Sequence, residues 1–172
     1  MRARHERFRG RVFTVLTDEV DMPGGDPAER DYVLHLGAVA VAAVDDADRV
    51  VLIRQYRHAL GQELWELPAG LIDVAGEELP AAAARELSEE VDLTAAHWQL
   101  LLDLHSSPGY SNEVVRIYLA RGLAEVPEMR RPAWVSRSRY ALLTSYRCRC
   151  RSDTSVASYA LATSESGVST AG

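Results

Sequence analysis

Residues 78–91, ELPAAAARELSEEV, constrain the fold more than any other stretch, because their apolar positions recur at helical spacing over nearly four turns. Pro80 is tolerated there, since it falls in the first turn. The surrounding sequence has a different pattern. RVFTVLTDEV (11–20), DYVLHL (31–36), GAVAVAAV (37–44), RVVLIRQYR (49–57), ELWELPAG (63–70), HWQLLLDLH (97–105) and EVVRIYLARGL (113–123) each read as a strand. The turn signals MPGGDP (22–27), DDAD (45–48) and SSPGYSN (106–112) fall between them. One helix among many strands implies a mixed α/β or α+β domain, and 172 residues suffice for a single domain with its own core.

The helix raises an electrostatic problem. Glu86, Glu89 and Glu90 lie within five positions, and the preceding AAAA run supplies no cation beyond Arg85. At 100° per residue the three glutamates span about 100° of arc, beside a stripe of Ala83, Ala84, Leu87 and Val91. Like charges at this spacing oppose helix formation, and the last turn favours cations. A solvated acidic face is the ordinary explanation. A bound cation explains the position in the last turn better, and clustered oxygen donors suit Mg²⁺ or Mn²⁺. Asp92 then stands where a helix end more comfortably carries glycine.

Composition excludes several classes. The chain is 47% apolar and 26% charged with a net charge of −6, which argues against non-specific nucleic-acid binding. No apolar run approaches the roughly 20 residues of a membrane span, and the basic MRARHERFRGR leads into no apolar segment. A cytoplasmic protein with neither a membrane nor a nucleic-acid partner is expected. Cys148 and Cys150 are too few for a disulfide framework or a complete zinc site.

The character of the chain changes near residue 129. Residues 1–129 carry 23 acidic and 12 basic side chains, a net of −11, whereas residues 130–172 carry 2 acidic and 7 basic, a net of +5. The tail is rich in serine and contains RCRCR (147–151). An interaction tail, a disordered extension and a lost reading frame all account for it, and the last is favoured. The expected division is an N-terminal β region (1–36), a core (37–129) and an atypical tail (130–172).

With the helix in place, GLIDVAGEELPAAAARELSEEVDL (70–93) resembles the Nudix box. That pattern is Gly, five residues, Glu, seven residues, Arg-Glu-apolar, one residue, Glu-Glu, one residue, Gly-apolar. Glu77, Arg85, Glu86, Leu87, Glu89, Glu90 and Leu93 match it. Six residues rather than five follow Gly70, and Asp92 replaces the final glycine. RQYRHALGQELWELPAGLIDVAGE (54–77), HLGAVAVAAV (35–44) and SSPGYSNEVVRIYLA (106–120) look like the ADP-ribose pyrophosphatase branch, and the likeness covers roughly residues 8–123.

The resemblance implies a Nudix fold, with a mixed sheet around the box helix and a small N-terminal antiparallel sheet. It implies hydrolysis of ADP-ribose to AMP and ribose 5-phosphate with Mg²⁺ or Mn²⁺, by a homodimer. Glu86, Glu89, Glu90 and Arg85 would form the catalytic set: Glu86, Glu90 and the carbonyl of Ala69 as metal ligands, Glu89 sharing a second ion or orienting water, and Arg85 holding the loop by pairing with Glu77 or another box glutamate. Arg57, Arg30, Leu71 and Glu113 would contact substrate, surface ion pairs being the alternative for Arg30 and Glu113. Tyr32 or Phe8 would stack on adenine across the dimer or else pack in the core.

His35 and His97 are read as structural, His58 and His105 as surface groups, and His5 as part of a flexible end; Trp65 and Trp98 are expected in the core. The branch places a further glutamate in an acidic loop after the last shared strand, where it serves as general base. RGLAEVPEM (121–129) starts toward that loop, and Glu125 and Glu128 are the acids near it. Two other readings follow: a catalytically impaired nucleotide-binding module, or a hydrolase of another nucleoside diphosphate sugar.

Overall fold

The computed structural model describes residues 1–126 and the backbone of 143–144. Glu128 and, apart from the 143–144 backbone, the expected tail with its RCRCR run therefore lie outside the described residues.

Three strands, β1 (Ala3–Arg9), β2 (Phe13–Val20) and β3 (Ala28–His35), form an antiparallel sheet in sequence order. Gly37, at φ 85°, turns the chain into β4 (Ala38–Ala43). The central sheet orders β8 (Ala69–Leu71), β4, β10 (Val114–Glu125) and β9 (Leu93–His105). Its β4–β10 pair is parallel and its other pairs are antiparallel, so the sheet is mixed as expected. A hairpin of β6 (Ile53–Arg57) and β7 (Gln62–Glu66) stands beside it, and β5 (Arg49–Val50) pairs with β11 (Leu143–Thr144).

Helix α1 (Leu79–Val91) packs on β4, β8 and β9. Leu87 and Val91 are fully buried among Val39, Val41, Ile53, Ala83 and Tyr118. At about 25 cal/mol per Å² of apolar surface, such burial stabilises by roughly 1.5–3 kcal/mol for each large side chain. The helix ends at Asp92 in the left-handed region (φ 54°, ψ 36°), where its N–H donates to the Ser88 carbonyl at 3.1 Å. Aspartate thus adopts the conformation for which the box pattern uses glycine.

Several local expectations change. The buried face of α1 comprises Ala82, Ala83, Leu87, Glu90 and Val91, with Ala84 half-buried. The stripe is rotated, and Glu90 lies within it rather than along its edge. His5 is not in a flexible end: it pairs with Thr17 across β1–β2, and its Nε2 lies 3.2 Å from Glu19. Segment 49–57 is two strands, because Val51 donates to the Ala43 carbonyl before the chain turns to pair with β7. Segment 63–70 is likewise two, divided at Leu67–Pro68. Trp98 is half-buried against the core, whereas Trp65 is half-buried beneath the Arg54 guanidinium, 5.9 Å from its ring centre.

Candidate active site

Helix α1 and strands β8 and β6 converge on one cleft. The last two turns of α1 carry Arg85, Glu86, Glu89 and Glu90, β8 runs past them with Ala69, Gly70 and Leu71, and β6 ends at Arg57. These residues line a cleft of about 530 Å³, together with His35 at the end of β3 and Glu113 just before β10. Arg30 does not line it. It sits on β3 and donates to its neighbour's carbonyl, at Glu29.

Gly70 permits the closest approach. A Cβ there would fall inside the carboxylate of Glu86. With Glu86 in this rotamer, strand β8 crosses it only with a bare backbone.

The glutamates are not equivalent. Glu90 is 5% exposed, and its Oε2 accepts the Ala69 N–H at 2.9 Å. Burial pushes its carboxyl up to about 7, opposed by that hydrogen bond and by Arg57, and reinforced by Glu86 and Glu66. Burial also raises Glu86, against the opposing pull of Arg85. Arg85 forms a bidentate pair with Glu77 at 3.1 and 3.0 Å, which holds that carboxyl below its usual range. Its Nη1 bridges Glu86 at 2.6 Å and Glu89 at 3.3 Å. The arginine therefore clamps the loop before the helix to the carboxylate row.

No three acidic, histidine or cysteine side chains among the described residues form a ready-made metal cage. The donor chemistry still fits a hard divalent cation. Two neighbouring carboxylates are desolvated, each resists ionisation, and a cation at their oxygens would relieve both penalties. In the same cleft, Arg57 presents a positive charge, paired with Glu66 through Nε–Oε1 (2.8 Å) and Nη2–Oε2.

Sequence reading missed Glu66, His35 and the reason for Gly70. Glu66 was findable from strand parity: in the hairpin Ile53 faces Glu66 and Arg57 faces Gln62, so positions 57 and 66 share a face. His35 had no such signal. It accepts the Gly37 N–H at its Nδ1 (3.1 Å), and that nitrogen lies 3.4 Å from Glu113. Phe8 is 55% exposed beside Phe13, so it is not a core residue in this chain. Tyr32 is half-buried and donates to Asp18 at 3.2 Å.

A mixed sheet, a helix carrying buried carboxylates and an arginine lining the same cleft define an α+β domain in which acidic donors and a guanidinium share one site. A profile of the NUDIX domain matches residues 34–143, and the chain belongs to that family. The match runs past residue 129. Nudix hydrolases generally need a divalent metal.

An ADP-ribose pyrophosphatase from Mycobacterium tuberculosis (strain ATCC 25618 / H37Rv) is 55% identical over 117 residues, 68% of this chain and 56% of that protein. A methanol dehydrogenase activator from Bacillus methanolicus is 36% identical over 118 residues, 69% of this chain and 63% of that protein. The alignments thus span less than two thirds of either relative. A crystal structure of an ADP compounds hydrolase superposes with a TM-score of 0.64 at 27% identity, covering 83% of this chain and 75% of that one. No helix among the described residues is long and apolar enough to cross a membrane.

Proposed function

We propose that the protein hydrolyses the diphosphate of ADP-ribose, giving AMP and ribose 5-phosphate, with Mg²⁺ or Mn²⁺ as cofactor. The observation carrying this reading is the cleft's polarity: desolvated Glu86 and Glu90 from the helix and Arg57 from the hairpin line the same cleft. A diphosphate needs charge neutralised from both sides before a nucleophile can approach it. The adenosine diphosphate compounds named for the M. tuberculosis relative and the superposed hydrolase support the substrate class.

Glu86, Glu89, Glu90 and the Ala69 carbonyl would hold the cation, whose chemistry is to neutralise phosphate oxygens and lower the pKa of a bound water. Arg57 would bind the diphosphate from the hairpin. Arg85 keeps the carboxylate row in place through Glu77. Leu71 and Glu113, both at the cleft, are assigned to substrate contact, and Arg30 to contact across a dimer.

Incubation with ADP-ribose and Mg²⁺ or Mn²⁺ should release AMP and ribose 5-phosphate, and EDTA should abolish the release. Binding without hydrolysis under every metal condition would replace the enzyme with a binding module. Faster turnover of another nucleoside diphosphate sugar in the same assay would reassign the substrate. The homodimer is supported by the exposed Phe8–Phe13 pair, next to Val12 at the cleft edge. Sedimentation equilibrium should give twice the chain mass, and a monomer at micromolar concentration would remove that element of the proposal.

A further inference from the structure

We propose that Glu66 is a positioning residue: it sets the guanidinium of Arg57 in the cleft so that the remaining donors meet the diphosphate. The inference rests on the reading of Arg57 as the diphosphate contact.

Arg57 closes β6 at the turn end of the hairpin, and its side chain is 47% exposed. Left alone there, a long arginine samples many rotamers, and fixing one on binding costs affinity. Glu66 lies at the other end of the same hairpin face, four positions along β7 from Gln62, the residue opposite Arg57. That offset is about 13 Å of strand, so the two side chains reach lengthwise toward each other.

The contact is bidentate, through Nε and Nη2, and the Glu66 side chain is only 22% exposed. Two of the five guanidinium N–H groups are thereby used, and three remain for a ligand. A fork held along one edge is fixed in plane as well as in place, which a single contact would not achieve. Glu90 and Glu113 act on Arg57 only as weaker charges behind the Glu66 pair.

The opposite hairpin face argues against a merely structural pair. There Arg54 pairs with Glu63 at 2.9 Å and covers Trp65. That pair already braces the two strands, and it does not line the cleft.

The test is calorimetric titration with ADP-ribose in EDTA, where no turnover occurs, for the wild type, Glu66→Ala, Glu66→Gln, Arg57→Ala and the Arg57→Ala/Glu66→Ala double variant. Thermal melts establish that each is folded, and Glu66→Gln serves should Glu66→Ala fail to fold. Loss of the pre-set arginine should weaken binding about 3- to 10-fold in Glu66→Ala, with a smaller loss in Glu66→Gln, which keeps one acceptor. In the Arg57→Ala background Glu66→Ala should change nothing further, because there is nothing left to position.

Weakening by Arg57→Ala with full affinity in Glu66→Ala overturns the positioning role and leaves the diphosphate reading intact. Additive losses overturn it as well. Unchanged affinity in Arg57→Ala, or no ADP-ribose binding by the wild type, overturns both.

Discussion

Glu90→Gln should lower ADP-ribose hydrolysis by about 10²–10³-fold, the range for removing one group that stabilises transition-state charge. The same change should stabilise the metal-free protein at pH 8. Both effects have one origin. Glu90 is almost wholly buried, and its carboxyl is pushed up to about 7 because the site withholds water from a charge.

Between the unfolded value near 4.5 and about 7, the folded protein binds the extra proton. Stability from this group is thus fully present below pH 4.5 and falls as pH rises through 7. At 1.36 kcal/mol per pKa unit the loss is on the order of 3 kcal/mol. A neutral glutamine escapes it.

The measurement is denaturant unfolding of both proteins in EDTA from pH 4.5 to 8.5. The difference between them should open toward high pH and close toward low pH, which isolates this group from the Arg-paired carboxylates Asp18 and Glu77, whose contributions are lost on acidification instead. Added Mg²⁺ should narrow the gap by stabilising the wild type, since a cation binds the deprotonated carboxylate. A flat difference across the range would remove burial as the cause. Full activity in Glu90→Gln would remove the residue from the metal site.

Much of this candidate site is legible in the sequence, for a physical reason. A helix converts sequence spacing into angle, so Glu86, Glu89 and Glu90 had to share one side, and Leu87 and Val91 had to anchor them. What spacing could not supply was depth. Glu90 reads as one carboxylate among three, but strand β8 crosses above it and its surroundings are dry.

Strand β1 was missed because ARHERFR carries charge on both faces, and its pairing with β2 is supported by cross-strand partners such as Arg4 and Asp18 rather than by a core. The division of 49–57 was hidden for the opposite reason. Val51, Leu52 and Ile53 are all buried, so no alternation marks the point where one strand ends and the next begins. Arg30 illustrates a further limit: resemblance offers it as a substrate contact, but its side chain does not line the cleft.

Gly70→Ala is the sharper test of how the box works, because its effect should fall on chemistry and spare the fold. The added Cβ would overlap the Glu86 carboxylate, so one of the two must move. Backbone at Gly70 is tied into the sheet opposite Val39, whereas the obstructing group is the end of a flexible side chain. The glutamate therefore yields. It can swing off at a cost of about 0.5–1.5 kcal/mol in rotamer energy, so thermal unfolding should shift by only a few degrees.

Function should not be spared, because Glu86 leaves the position from which it is proposed to hold the cation. Hydrolysis should fall about 10²–10³-fold, as for direct loss of a charge-stabilising group, and the Mg²⁺ concentration for half-activity should rise. Glu86→Gln supplies the control. If the alanine acts only by displacing Glu86, the double variant should be no worse than the worse single variant. Near wild-type activity in Gly70→Ala would mean that Glu86 does not work from beneath β8. A large fall in melting temperature would mean that the strand gives way instead of the side chain.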